Sequence, residues 1–223
     1  MRFRTDLRAV IFDFDGTLLD SLKINNLARV AQLRGLVIPE DKKFEHSFGE
    51  SATQIIKILW PKENVGELIN LWEEIDRISP PPLIANVKDI LCFLKVSFLV
   101  EIGILTQRRS KSLLSMLRHY NLLSFFQPDL IQTRDRVSYI KPDPRAFENI
   151  VRTLSRDFNI TKDQTLYVGD NILDWQAARG AGIKFVGVET GSLNRFAWQT
   201  AGLESKNIIS DIGWIPCWIL KHF

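Results

Sequence analysis

Cysteine is scarce in this chain, with two in 223 residues, and Cys92 sits inside the apolar run I-L-C-F-L. Two cysteines so placed do not build a disulfide framework, and the default expectation is a reducing, intracellular compartment. Long hydrophobic runs are absent too: no apolar stretch reaches the roughly 20 residues that span a bilayer. The basic N-terminus M-R-F-R-T-D-L-R-A-V-I-F-D is too short in its apolar part for a secretory signal. A soluble cytoplasmic protein without membrane contact is expected. Charge of one sign is also lacking, since 29 Lys and Arg face 26 Asp and Glu for a net +3. No basic run is long enough to form a stripe, so a nucleic-acid partner is excluded. The densest basic patch, Arg108, Arg109 and Lys111, fits an anionic substrate or a solvated helix start. There is no internal repeat and no low-complexity tract.

What is present is a globular composition, 45% apolar and 25% charged, on a length that supports one ordinary domain and a smaller one. The organising stretch is Arg8 to Ser21, R-A-V-I-F-D-F-D-G-T-L-L-D-S. Ala9 to Phe12 has the length and β-branched character of a buried parallel strand. Asp13 and Asp15 then interrupt it on one side, because side chains alternate along a strand, and Gly16 permits a sharp turn. Two carboxylates side by side at the edge of a low-dielectric core need compensation, either by a hard divalent cation or by a proton held on one of them. Acids capping a turn or a helix would be the plain structural alternative.

Along the chain, apolar residues recur at helical spacing from Leu22 to Leu36, then from Ser51 to Trp60 and from Val65 to Ile78. Pro80 to Pro82 close this all-helical block, which reads as a small separate domain over residues 20–82. A core of residues 1–19 and 83–223 surrounds it. In that core a helix is expected over Val87 to Lys95, a strand over Phe98 to Leu105 and a helix over Ser110 to Tyr120. A short strand at Leu130 to Gln132, a helix over Arg145 to Arg156 and strands at Thr165 to Val168 and Lys184 to Val188 follow, with a last strand at Ile208 and Ile209. Strands alternating with helices imply right-handed βαβ units, a Rossmann-like parallel sheet with helices on both faces. The tail Trp214 to Leu220 fits core packing, with a dimer face as the alternative.

Asp13 and Asp15, Thr106, Lys141, and Asp170 with Asp174 all fall at or just beyond the carboxyl ends of expected strands, where open α/β sheets place ligands. A nucleophile, a metal and a cation meeting in one crevice suit phosphoryl transfer. Singly, each has a plainer reading: Thr106 as a strand-end hydroxyl or cap, Lys141 as a loop residue, Asp174 as a first-turn acid.

Together they resemble the haloacid dehalogenase (HAD) superfamily: D-F-D-G-T at Asp13 to Thr17, Thr106 after I-G-I-L, Lys141 in K-P-D-P, and G-D-N-I-L-D from Gly169 to Asp174. The helical block matches that family's C1 cap in position and size. The resemblance implies that Asp13 attacks phosphorus to give an aspartyl-phosphate, and that Asp15 protonates the leaving oxygen and then activates water. It further implies that Thr106 and Lys141 hold the phosphoryl oxygens. Asp13, the Asp15 carbonyl and Asp170 would bind Mg²⁺, supported by Asp174. Gly16, Thr17, Gln107 and Arg108 are candidate substrate contacts, Asn171 a hydrogen bonder or plain cap, and the loop of His46, Phe48, Gly49 and Glu50 a specificity loop or an ordinary turn. The acid at position 15 favours phosphatases and mutases over dehalogenase-type members. The pattern is most similar to phosphoglycolate phosphatases acting on a small phosphorylated metabolite, as a monomer or homodimer. A sugar phosphomutase or nucleotide phosphatase on the same core is the alternative reading. A receiver-type signalling domain and a silent binding protein fit the residues less well.

Overall fold

The computed structural model describes residues 2–21, 26–38 and 52–223; the loop of His46, Phe48, Gly49 and Glu50 lies outside them. Six strands form one sheet in the order β3-β2-β1-β4-β5-β6, and every pairing is parallel. They are β1 (Ala9–Phe12), β2 (Glu101–Leu105), β3 (Ile131–Gln132), β4 (Thr165–Gly169), β5 (Lys184–Val188) and β6 (Ile208–Ile209). All four residues of β1 are fully buried, as a central strand covered on both sides must be.

Strand alternation divides the core in two. Val10, Phe12, Ile102, Ile104, Leu166 and Val168 pack against α4 (Val87–Phe93), α5 (Ser110–His119) and α9 (Ile215–His222). Ala9, Ile11, Leu105, Tyr167 and Phe185 face α6 (Glu148–Phe158), α7 (Ile172–Ala181) and α8 (Arg195–Ala201). This is the expected Rossmann-like arrangement. Among the described residues, no helix is long and apolar enough to cross a membrane.

Between β1 and α4 lie α1 (Asn26–Arg34), α2 (Ala52–Leu59) and α3 (Val65–Ile78), which bury Leu27, Val30, Ile56, Trp60, Leu68 and Ile69 in a core of their own. Asn64 starts α3 by accepting the backbone N–H groups of Gly66 and Glu67 at 3.0 and 3.3 Å. Pro80 to Pro82 then carry the chain back to the sheet.

Two expected boundaries shift. The strand anticipated from Phe98 begins at Glu101: Leu94–Phe98 form a π-helical turn, and Leu99 takes a left-handed conformation (φ 57°). Phe98 is spent on a stack with Phe3, ring centroids 5.1 Å apart, so it looks strand-like in sequence while serving helix packing. The helix anticipated from Arg145 begins at Glu148, after a 3₁₀ turn over Pro144–Phe147 capped by Asp143. In the aromatic tail, Ile215, Trp218 and Ile219 are buried in the core while Trp214 and Leu220 are exposed.

Candidate active site

The sheet order brings β2, β1 and β4 side by side, so Thr106, Asp13 and Asp170 emerge from neighbouring strand ends. The order reverses direction between β1 and β4, and such a switch point opens a crevice. The Asp13 N–H still bonds the Val168 carbonyl at 2.8 Å, which fixes where its side chain leaves the sheet.

Lys141, from the loop after β3, crosses under this edge and is buried. Its ammonium stands 2.9 Å from Asp13 Oδ1 and 2.6 Å from Asp174 Oδ1, and donates to the Tyr167 hydroxyl at 3.1 Å. Burial alone would lower its pKa, but Asp13 and Asp174 outweigh it and hold the pKa raised, so the cation persists. Burial pushes Asp13 up to about 7 against the pull of Lys141, with Asp174 and Asp15 adding to the rise. The buried Asp170 is also raised, first by burial and then by Asp174 and Asp13. The crevice therefore gathers more carboxyl groups than one lysine can compensate as anions.

That excess fits a divalent cation. Asp13, Asp170 and Asp174 offer carboxylate oxygens within 4.8 Å of one another, a hard oxygen set of the kind Mg²⁺ takes. The three are not equivalent. Asp174 Oδ1 accepts from Lys141 and from Tyr167 (2.9 Å), and its Oδ2 accepts the N–H groups of Asp170 and Asn171, each at 3.2 Å. These four hydrogen bonds hold the Asp174 carboxylate in place. Among the described residues, the side-chain hydrogen bond to Asp170 is a 3.5 Å contact from the Thr17 hydroxyl, which leaves its carboxylate available as a ligand. Asn171 caps α7 by accepting the N–H groups of Leu173 and Asp174.

Asp170 lies in a cradle of backbone. A Cβ on Gly16 or Gly191 would collide with its carboxylate, and Gly16 has φ 71° in the turn after Asp15. Thr190 closes this side by donating to the Gly16 carbonyl at 2.6 Å. If Asp170 ligates a divalent cation, Gly191→Ala should displace it and weaken Mg²⁺ binding about 10–100-fold, the usual cost of disturbing a ligand's support. Isothermal titration of the two proteins with Mg²⁺ checks this.

Thr106 is buried, and its Oγ1 accepts the Arg108 N–H at 3.1 Å, which leaves its O–H to donate elsewhere. Gln107 Oε1 and Ser192 Oγ, both on loops bordering the site, are buried with no hydrogen-bond partner among the described residues. Arg108 is committed. Its Nε and Nη2 grip both oxygens of Asp15 at 3.1 and 2.5 Å, while Nη1 pairs with Asp76 of α3 and donates to Ser112 at 2.8 Å. Burial lowers its pKa, yet Asp15 and Asp76 raise it further. Arg109 reaches α3 as well, with Asn70 at 3.3 Å and Glu73 at 3.7 Å. Much of the basic patch is thus answered from within the chain.

Sequence reasoning missed Tyr167, Thr190, Gly191, Ser112 and Asp76. Tyr167 hides in an apolar strand, and the loop after β5 has no motif. Asp76 did carry a signal: it falls on the stripe of Ile69 and Trp72 at positions i, i+3 and i+7, where a charge needs a partner.

A family model described as haloacid dehalogenase-like hydrolase matches residues 10–188. A phosphoglycolate phosphatase of Rhodobacter capsulatus is 26% identical over 198 residues, covering 80% of this chain and 82% of the relative. A phosphorylated carbohydrates phosphatase of Thermotoga maritima is 27% identical, covering 84% and 88%. The crystal structure of a HAD hydrolase of family IA, variant 3, from Entamoeba histolytica superposes with a TM-score of 0.75 over 93% of this chain and 94% of that one, at 21% identity.

Proposed function

The chain belongs to the haloacid dehalogenase-like hydrolase family, and on that premise we propose that it hydrolyses small organic phosphate monoesters through a phosphorylated Asp13. The observation that carries this reading is the buried Asp13–Lys141–Asp174 row beside an open Asp170 carboxylate at the β1/β4 switch point. A carboxylate is a competent nucleophile toward phosphorus and divides one hard displacement into two. An Asp13 oxygen bonds phosphorus as the ester P–O bond breaks, and Asp15 gives its proton to the departing alkoxide. In the second step Asp15 takes a proton from water, the water oxygen bonds phosphorus, and Asp13 is released with inorganic phosphate. Thr106, whose O–H finds no acceptor among the described residues, and Lys141 hold the phosphoryl oxygens.

Asp13 and Asp170 through their carboxylates, and Asp15 through its carbonyl, would hold Mg²⁺, with Asp174 in support. A bound Mg²⁺ neutralises the charge that gathers on nucleophile and phosphate. Gln107, Thr17 and Gly16 line the site on this reading. Residues 20–82 act as a lid on a core of residues 1–19 and 83–223, which restricts substrates to small molecules. The names of the two curated relatives, phosphatases of phosphoglycolate and of phosphorylated carbohydrates, support the same class.

The test is release of inorganic phosphate from a panel headed by phosphoglycolate, with Mg²⁺ and with EDTA. Turnover in Mg²⁺ that EDTA abolishes is expected. A folded protein inactive on the whole panel in Mg²⁺ would overturn the reading.

A further inference from the structure

Arg108 is a buried cation between two acids of unequal access. On one edge of its guanidinium, Asp76 from α3 is sealed, with its side chain 2% exposed. On the other edge Asp15 is open, with 36% of its side chain exposed, and it occupies the Nε/Nη2 fork with both oxygens. The sealed edge is an anchor, completed by Ser112 from α5 and by the ring of Phe14, 5.8 Å from the guanidinium carbon. The open edge is a planar two-pronged donor of the shape that binds a carboxylate bidentately. Its present occupant is the carboxylate next to the nucleophile.

Resting on the phosphatase reading, we infer that the Asp15-facing fork of Arg108 is the recognition element for a carboxylate carried by the substrate, and that Asp76 is the positioning residue that keeps the fork aimed. A small phosphate monoester with a carboxylate a few bonds from phosphorus seats that carboxylate in the fork. Asp15 then exchanges its ion pair for the substrate's and is free to turn toward the ester oxygen. The exchange conserves charge around the guanidinium, since one carboxylate replaces another. A substrate without the second anion finds Asp15 still tied to Arg108. The helical segment thus contributes to specificity through a side chain that touches no substrate: Asp76 prevents Arg108 from folding wholly onto Asp15.

The measurement is kcat and KM for phosphoglycolate and for its counterpart of equal length without the carboxylate, 2-hydroxyethyl phosphate. Wild type, Arg108→Lys, Asp76→Asn and Asp76→Ala are compared in Mg²⁺. Wild type should prefer phosphoglycolate. Arg108→Lys keeps the charge and loses the fork, and should lower the ratio of kcat/KM between the two substrates at least tenfold, chiefly through KM for phosphoglycolate. Asp76→Ala should do the same, and Asp76→Asn, which retains an oxygen for Nη1, should restore part of the ratio. If Asp76→Ala does not fold, Arg108→Lys and Asp76→Asn carry the comparison. A wild type without preference for the carboxylate, or variants that lose both substrates by one factor, would overturn the inference while leaving the phosphatase reading intact. A folded wild type that turns over neither substrate overturns the inference, and one inactive on the whole phosphate panel overturns the phosphatase reading as well.

Discussion

Asp13→Asn should reduce phosphate release by about 10⁴-fold or more, the scale seen when an enzyme loses its covalent nucleophile. The amide keeps the size and shape of the side chain but is a poor nucleophile and a weak ligand for a hard cation. The loss should fall in kcat, because on the proposed mechanism Thr106 and Lys141 remain in place to hold the phosphoryl group. The fold should survive: the buried Asp13 carboxyl is already raised to about 7, and Lys141 keeps Asp174 at 2.6 Å. A variant with wild-type circular dichroism and a kcat about 10⁴-fold or more below that of wild type is the expected result. Retention of more than a hundredth of the rate would mean that another group attacks phosphorus. Rapid-quench trapping of phosphate on the wild-type chain, absent in the variant, separates a lost nucleophile from a lost metal ligand.

Lys141→Met should damage stability and activity together. The Lys141 side chain is 3% exposed and its ammonium compensates Asp13 and Asp174, so its loss leaves two buried carboxylates without their cation. Removing one partner of a buried ion pair costs about 3–5 kcal/mol, which for a chain of this size lowers the melting temperature by roughly 10 °C. The Tyr167 hydroxyl also loses a donor at 3.1 Å. Mg²⁺ should raise the melting temperature of the variant more than that of wild type, because a cation binding only the folded state stabilises it by mass action and here also replaces missing positive charge. Differential scanning calorimetry with Mg²⁺ and with EDTA reads both effects. Turnover should remain at least about 10²-fold down even in Mg²⁺, since a stabiliser of transition-state charge is gone. Equal metal-induced shifts in the two proteins would show that Lys141 does not share the charge of the metal site.

The sequence carried much of this site for a local reason. A run such as Ala9 to Phe12 ending in Asp13, or Thr165 to Val168 ending in Gly169 and Asp170, is a strand followed by chemistry within a few residues. The same locality explains α3, whose Asn64 cap, apolar stripe and closing prolines are all neighbours in sequence. Phe98 is the contrasting case, since its ring is held by Phe3, far away in the chain, and no local pattern separates that from the start of a strand. Arg108 is another: next to Thr106 and among Arg109 and Lys111 it reads as a substrate contact, and Asp76 lies 32 residues away.

By itself, then, the sequence determined the alternation of strands and helices, the helical segment set between β1 and α4, and the identity of the acids, threonine and lysine that gather at the strand ends. Each follows from periodicity and turn chemistry within about a dozen residues. Only the tertiary structure decided the order β3-β2-β1-β4-β5-β6, which makes Asp13 and Asp170 neighbours, and the division of labour between an engaged Asp174 and an open Asp170. It also decided that Arg108 is anchored by Asp76 and that Thr190 and Gly191 close the side of the site where Asp170 lies. These depend on contacts between residues remote in sequence, whose energy comes from excluding water around a particular pair of charges, and no local pattern records which pair that will be.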